Sequence, residues 1–104
     1  MKIRKKNYQS GEATIKKMLK DPQVRFYYEQ ERAISEIASA VKAARQHTHM
    51  TQAKLAEKVG TTQSVIARLE SGTDKRNPSL PLLARIAVAC GGDLEIGFRF
   101  KGAH

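Results

Sequence analysis

Apolar residues in the middle of the chain recur at helical spacing, and the pattern breaks where helices are expected to stop. Between Thr51 and Glu70 (TQAKLAEKVGTTQSVIARLE) the inward set is Leu55, Ala56 and Val59, followed beyond Gly60 by Ile66 and Leu69. Thr51 and Thr62 precede the two runs, where a side-chain oxygen can accept from an orphan backbone N–H. Gly60 and Gly72 follow them, where a helix ends in a left-handed residue. The pattern predicts two short helices joined by a tight turn. Ala56 lies where the second helix would cross the first, and a larger side chain there would hold the two apart. Gly60 permits the turn that sets the crossing angle.

The flanks continue the helical pattern. Asp21–Pro22 is a start signal, a capping Asp before Pro at the first helical position, and the helix runs to about His47. Its second half carries Ile34, Ile37, Ala38, Val41 and Ala44 on one stripe, as a helix packed on the central pair requires. Its first half crowds Val24, Phe26, Tyr27 and Tyr28 outside that core. These aromatics either fold back on Ile15 and Leu19 of a short helix over residues 10–20 or face a protein partner, since Tyr and Phe are enriched at interfaces. Residues 1–9 read as flexible or extended. Ser79 caps a later helix with Leu83, Ile86, Ala87 and Cys90 inside, stopped by Gly91 and Gly92.

Beyond those glycines the period changes. Leu94, Ile96, Phe98 and Phe100 alternate with Glu95, Gly97, Arg99 and Lys101, which predicts a strand with one buried face. One strand cannot satisfy its own backbone groups. Its partner is then the N-terminal arm or, the favoured reading, the same strand of a second subunit across an isologous axis.

The chemistry lies on the outer face of the second central helix. Gln63, Ser64, Ala67 and Arg68 are left opposite Ile66 and Leu69. A Gln amide donates and accepts together, which suits adenine, and Arg offers two parallel donors, which suits guanine or a phosphate. Such a pair of helices, with its polar side at the start of the second, fits the major groove of DNA. Lys75 and Arg76 in the following loop suit phosphates beside that helix, or simply a solvated loop.

Charge agrees. The 104 residues carry 19 Lys and Arg against 10 Asp and Glu, a net +9. That balance favours nucleic acid or an anionic surface. Eight basic and two acidic side chains fall within residues 1–25, and the cluster Lys2, Arg4, Lys5 and Lys6 reads equally as a phosphate-binding arm or a soluble tail. The one cysteine, Cys90, excludes an internal disulfide and suits a reducing cytosol. His47, His49 and His104 form no ligand spacing with it, so no metal and no cofactor are expected. Nothing in the sequence has the length and apolarity of a membrane span, and no hydrophobic run follows the basic start as in a secretory signal. Paired carboxylates, a nucleophile with its base and a phosphate-cradling glycine loop are all missing, which argues against an enzyme.

From Arg45 to Gly91 the chain resembles the Cro/cI-type (XRE) helix-turn-helix family, and KVGTTQ is similar to lambdoid phage repressors. The resemblance implies a mainly α, lambda-repressor-like five-helix DNA-binding domain. Here the last helix is replaced by the C-terminal β-strand, and an N-terminal helical extension is added. Residues 1–32 would be the arm and extension, and residues 33–104 the DNA-binding domain. The resemblance further implies that Gln52 holds a phosphate and that Gln63 reads a base edge, with Ser64 and Arg68 beside it. Thr51 and Thr62, next to these, join the DNA-facing set. It also implies a structural bridge between Arg45 and Glu70. The phage-like motif points to a bacterial or phage cytoplasm rather than to a mitochondrial presequence in the basic start.

Asp21–Pro22–x–Val24–x–x–x–Tyr28, GTTQSVIARLESG and the segment after Gly91 together resemble HigA-like antitoxins. That resemblance implies a homodimer on a palindromic operator, repressing its own operon and neutralising a RelE/HigB-like ribonuclease toxin through Val24, Phe26, Tyr27 and Tyr28. A stand-alone phage-type or metabolic repressor and a pure protein-interaction module remain as other readings.

Overall fold

The computed structural model describes residues 14–73, 76 and 78–100, and these are helical or irregular throughout. The helices are α1 (residues 14–18), α2 (Pro22–His47), α3 (Gln52–Val59), α4 (Gln63–Ser71) and α5 (Leu80–Ala89). The chain divides into two compact units, Met1–Ser35 and Glu36–His104.

In the second unit each helix begins and ends where its local chemistry directs. Thr51 Oγ1 accepts from the Lys54 N–H at 3.0 Å, Thr62 Oγ1 from Val65 at 3.3 Å and Ser79 Oγ from Leu82 at 3.1 Å. Each bond satisfies one amide that the helix itself cannot, worth about 1 kcal/mol. Gly60 adopts φ 75° and closes α3: its N–H bonds to Glu57 O, and the Thr61 N–H reaches Ala56 O at 2.9 Å. That double closure is a Schellman motif. The same closure ends α2, where the Met50 N–H bonds to Arg45 O at 3.1 Å and the His49 N–H to Gln46 O at 3.0 Å. There the left-handed position is filled by His49, at φ 58°.

The core of this unit is Val41 from α2, Leu55, Ala56 and Val59 from α3, Ile66 from α4 and Ile86 from α5. Leu55 and Ile66 are fully enclosed, each contributing about 1.5–3 kcal/mol by leaving water. Ile37, Met50, Leu69, Leu82, Leu83 and Cys90 pack around them half-buried. Ala56 is buried within this cluster, so its small volume leaves room for the close approach of α3 to its neighbours.

The first unit is built differently. Asp21 starts α2, its Oδ1 accepting from the Gln23 N–H at 2.9 Å and its carbonyl from the Arg25 N–H at 2.9 Å. An exposed ion pair joins Glu29 to Arg32. No described residue of this unit is buried. Ile15, Met18, Phe26, Tyr27 and Tyr28 are all exposed, whereas Leu19 and Val24 are half-buried.

The expected C-terminal β-strand is not there. Residues 93–100 have no regular structure, and no strand occurs among the described residues. Leu94, Ile96, Phe98 and Phe100 are exposed, Phe98 at 89 %. Alternation prepares a face for burial, but a strand exists only when a neighbour accepts and donates its ladder bonds. No described segment of the chain does so.

Backbone conformation at the two left-handed turns yields a paired prediction. Nothing lies within 4 Å of a Cβ built on Gly60, so Gly60→Ala meets only the backbone penalty. It should lose about 1 kcal/mol, whereas His49→Gly should gain about 0.5–1 kcal/mol by relieving that penalty. Urea unfolding followed by circular dichroism measures both, and equal signs for the two variants would contradict the assignment.

Candidate nucleic-acid interface

Helix α4 is held from its inner side. Ile66 is buried in the core, and Leu69, in the last turn of the helix, is half-buried against that core. The remaining anchor is a charge. Glu70, with its side chain only 4 % exposed, accepts from Arg45 Nε at 2.7 Å on Oε2 and from Arg45 Nη2 at 3.0 Å on Oε1. Gln52 Nε2 donates to the same Oε1 at 3.2 Å. Arg45 also donates through Nη1 to Met50 O at 2.7 Å. One carboxylate thus gathers α2, the turn after it, the first residue of α3 and the end of α4.

Burial alone would raise the Glu70 carboxyl. The hydrogen bonds from Arg45 and Gln52, with the positive charges of Arg45 and Lys42, outweigh it and hold the group below the ordinary carboxylate value. The hydrogen bond to Glu70 in turn raises Arg45 against the opposing effect of its desolvation.

With its inner side occupied, α4 leaves a polar set exposed. Gln63 and Ser64 are exposed in its first turn and Arg68 further along. Ala67 is half-buried. Neither α3 nor α4 has an acidic residue in its own first turn, so neither helix places a carboxylate of its own at its positive end. Such ends attract phosphate. Thr51 and Thr62 are exposed at these two ends, with their hydroxyls taken by the caps. After α4, Ser71 Oγ donates to Arg68 O at 2.7 Å and accepts from the Thr73 N–H at 3.2 Å, shaping the start of the loop. Arg76 is exposed in that loop, and Lys75 lies outside the described residues.

The structure therefore brings Arg45, Gln52 and Glu70 together and sets Gln63, Ser64 and Arg68 on the outside of the same helix. Val24, Phe26, Tyr27 and Tyr28 belong to the other unit, and Leu94, Ile96, Phe98 and Phe100 lie past α5. Two contacts have no forerunner in the sequence reading. One is Gln52 to Glu70, hidden because a long-range pair leaves no spacing signal. The other is Arg85 Nε to Val59 O at 2.9 Å. Its clue is that Arg85 is the one charged residue of α5.

A helix-turn-helix family model matches residues 41–96, more than half of the chain. The chain belongs to this helix-turn-helix family. The family is of the XRE type and is a DNA-binding regulatory one, without enzymatic activity. The protein is thus a DNA-binding transcription regulator. No solved structure gives a significant match. No helix among the described residues is long and apolar enough to cross a membrane.

The Glu70 cluster predicts a pH dependence of definite sign. A carboxyl lowered by folding adds stability that is fully present above its unfolded value and is lost as pH falls through its folded value. Acid melts should therefore show falling stability below the ordinary carboxylate range. Removing one partner of such a pair strands the other, so Glu70→Ala should cost about 3 kcal/mol near neutral pH. Its stability should also vary less with acid than that of wild type, a comparison made by thermal melts across pH.

Proposed function

We propose that this protein is a sequence-specific repressor that acts as the antitoxin of a type II toxin–antitoxin pair. As a homodimer it binds a palindromic operator in its own promoter, and it neutralises a RelE/HigB-like toxin. The observation that carries the DNA half is the anchoring of α4 by Ile66 and Glu70, with Gln63, Ser64 and Arg68 exposed on it. Gln63 and Arg68 are the base-reading side chains, Ser64 assists them, and each bidentate contact discriminates by about 1–3 kcal/mol. Thr51, Gln52 and Thr62 lie against the backbone at the helix ends, and Lys75 and Arg76 add salt-dependent affinity from the loop.

The homodimer reading draws on apolar surface past the DNA-binding helices. Leu80 and Val88 are exposed on α5, and Leu94, Ile96, Phe98 and Phe100 are exposed beyond it. A second copy would cover these side chains and set two α4 helices about 34 Å apart on the operator. The toxin reading draws on the first unit. Its Phe26, Tyr27 and Tyr28 are exposed, and none of the described residues of that unit is buried to form a core with them; a protein partner would cover such surface.

Gln63→Ala should relax base preference, while Lys75→Ala should weaken all duplexes alike and reduce the salt slope by about one unit. Titrations of the promoter duplex and a scrambled one at several salt concentrations separate the two. Equal loss by Gln63→Ala on both duplexes would contradict base reading.

The double variant Phe26→Ala/Tyr27→Ala should abolish co-purification of the product of the adjacent toxin-sized gene and leave operator binding unchanged. If no such gene adjoins this one, or if its product binds the variant as well as wild type, the stand-alone repressor is the correct reading.

A further inference from the structure

The turn between α3 and α4 is closed by two backbone bonds, Gly60 N–H to Glu57 O and Thr61 N–H to Ala56 O. These consume the carbonyls of Ala56 and Glu57 and leave that of Val59, the last residue of α3, outside the motif. A carbonyl there carries part of the negative end of the helix dipole and needs a donor. The donor comes from α5: Arg85 Nε lies 2.9 Å from Val59 O, across 26 positions of sequence. The surroundings of Arg85 in sequence make it stand out, because every other residue of Leu80–Ala89 is apolar. Two residues away from the bonded carbonyl, Thr61 passes the chain to Thr62, the cap of α4.

We propose that Arg85 is a positioning residue for the recognition helix. It fixes the turn through which the chain enters α4, as the Arg45–Glu70 pair fixes the end at which it leaves. With both ends tied to separate helices, α4 keeps one direction relative to α3, and the side chains of its first turn meet base edges in one register. Loss of the Arg85 bond frees the first end only. Contacts to phosphates tolerate that freedom better than bidentate contacts to bases, so sequence discrimination falls more than total affinity. This second consequence rests on the reading that Gln63, Ser64 and Arg68 face bases.

Two measurements on Arg85→Met, which keeps the aliphatic stem and removes the donor, test the proposal. Arg85→Lys, which keeps the charge, serves as the conservative variant. Amide hydrogen exchange needs no DNA. Exchange at Gly60 and Thr61 should rise by about fivefold in Arg85→Met relative to the core amide of Val41, with Arg85→Lys intermediate. Unchanged exchange overturns the proposal. The second measurement uses a duplex selected by the wild-type protein from a random pool, and a scrambled duplex of the same composition. The ratio of the two Kd values should fall about three- to tenfold in Arg85→Met, with the salt slope unchanged. A faster-exchanging turn with an unchanged ratio would make the bond merely structural. A salt slope reduced by about one unit would make Arg85 a phosphate contact instead. Either result overturns the positioning role. If wild type itself shows no preference between duplexes, base reading by α4 fails, and the exchange result still decides whether Arg85 holds the turn.

Discussion

A carboxylate removed from water in so small a protein costs several kcal/mol unless donors replace the solvent it loses. Glu70 is such a group, and the donors that replace water come from two other helices. The constraint works in one direction. Glu70 cannot move without stranding its charge, so α4 cannot rotate without breaking bonds to α2 and α3 together. Ile66 would tolerate a rotation of some degrees, since apolar contact has no preferred direction. The bidentate fork would not. The direction in which the exposed side chains of α4 project is thus tied to a charge held near the end of that helix.

The two units meet the cost of ordering in different ways. The second has a shared apolar cluster from four helices and three side-chain N-caps, and its turns close their own backbone bonds. The first has helix-start chemistry at Asp21 and Pro22 but encloses nothing among its described residues. Its side chains therefore contribute little against the entropy of holding them still. Surface of this kind gains most from a second molecule, and the proposed division of labour between DNA and protein partners would follow the division of buried surface.

Much of this was legible in the sequence because it is local. A capping hydroxyl, a Pro at the first helical position and a left-handed glycine act within four residues, and the start of α2 and the bounds of α3 to α5 follow from them. Gln63, Ser64 and Arg68 were legible as an outer face because Ile66 and Leu69 define the inner one. The strand over residues 94–100 was misread for the opposite reason. Leu94, Ile96, Phe98 and Phe100 alternate as a strand would, but strand formation depends on a neighbour that period alone cannot supply. His49 in the left-handed position, Gln52 on Glu70 and Arg85 on Val59 O also escaped. Each is set by tertiary geometry at a residue type that has many uses.

Gln52 connects the fold to its proposed use. Its amide nitrogen carries two hydrogens, and Glu70 Oε1 takes one of them. The second hydrogen can still meet a phosphate at the start of α3, so the bridge and a DNA contact are compatible on one side chain. The compatibility is asymmetric. A phosphate brings a negative charge towards the buried carboxylate, and the polarised amide between them carries part of each interaction. With the proposed phosphate contact, DNA binding and the position of α4 would be coupled through Gln52, whereas Arg45 serves the fold. A substitution at Gln52 that lowered affinity would not by itself identify a phosphate contact, because the same change removes one of the donors that keep Glu70 charged.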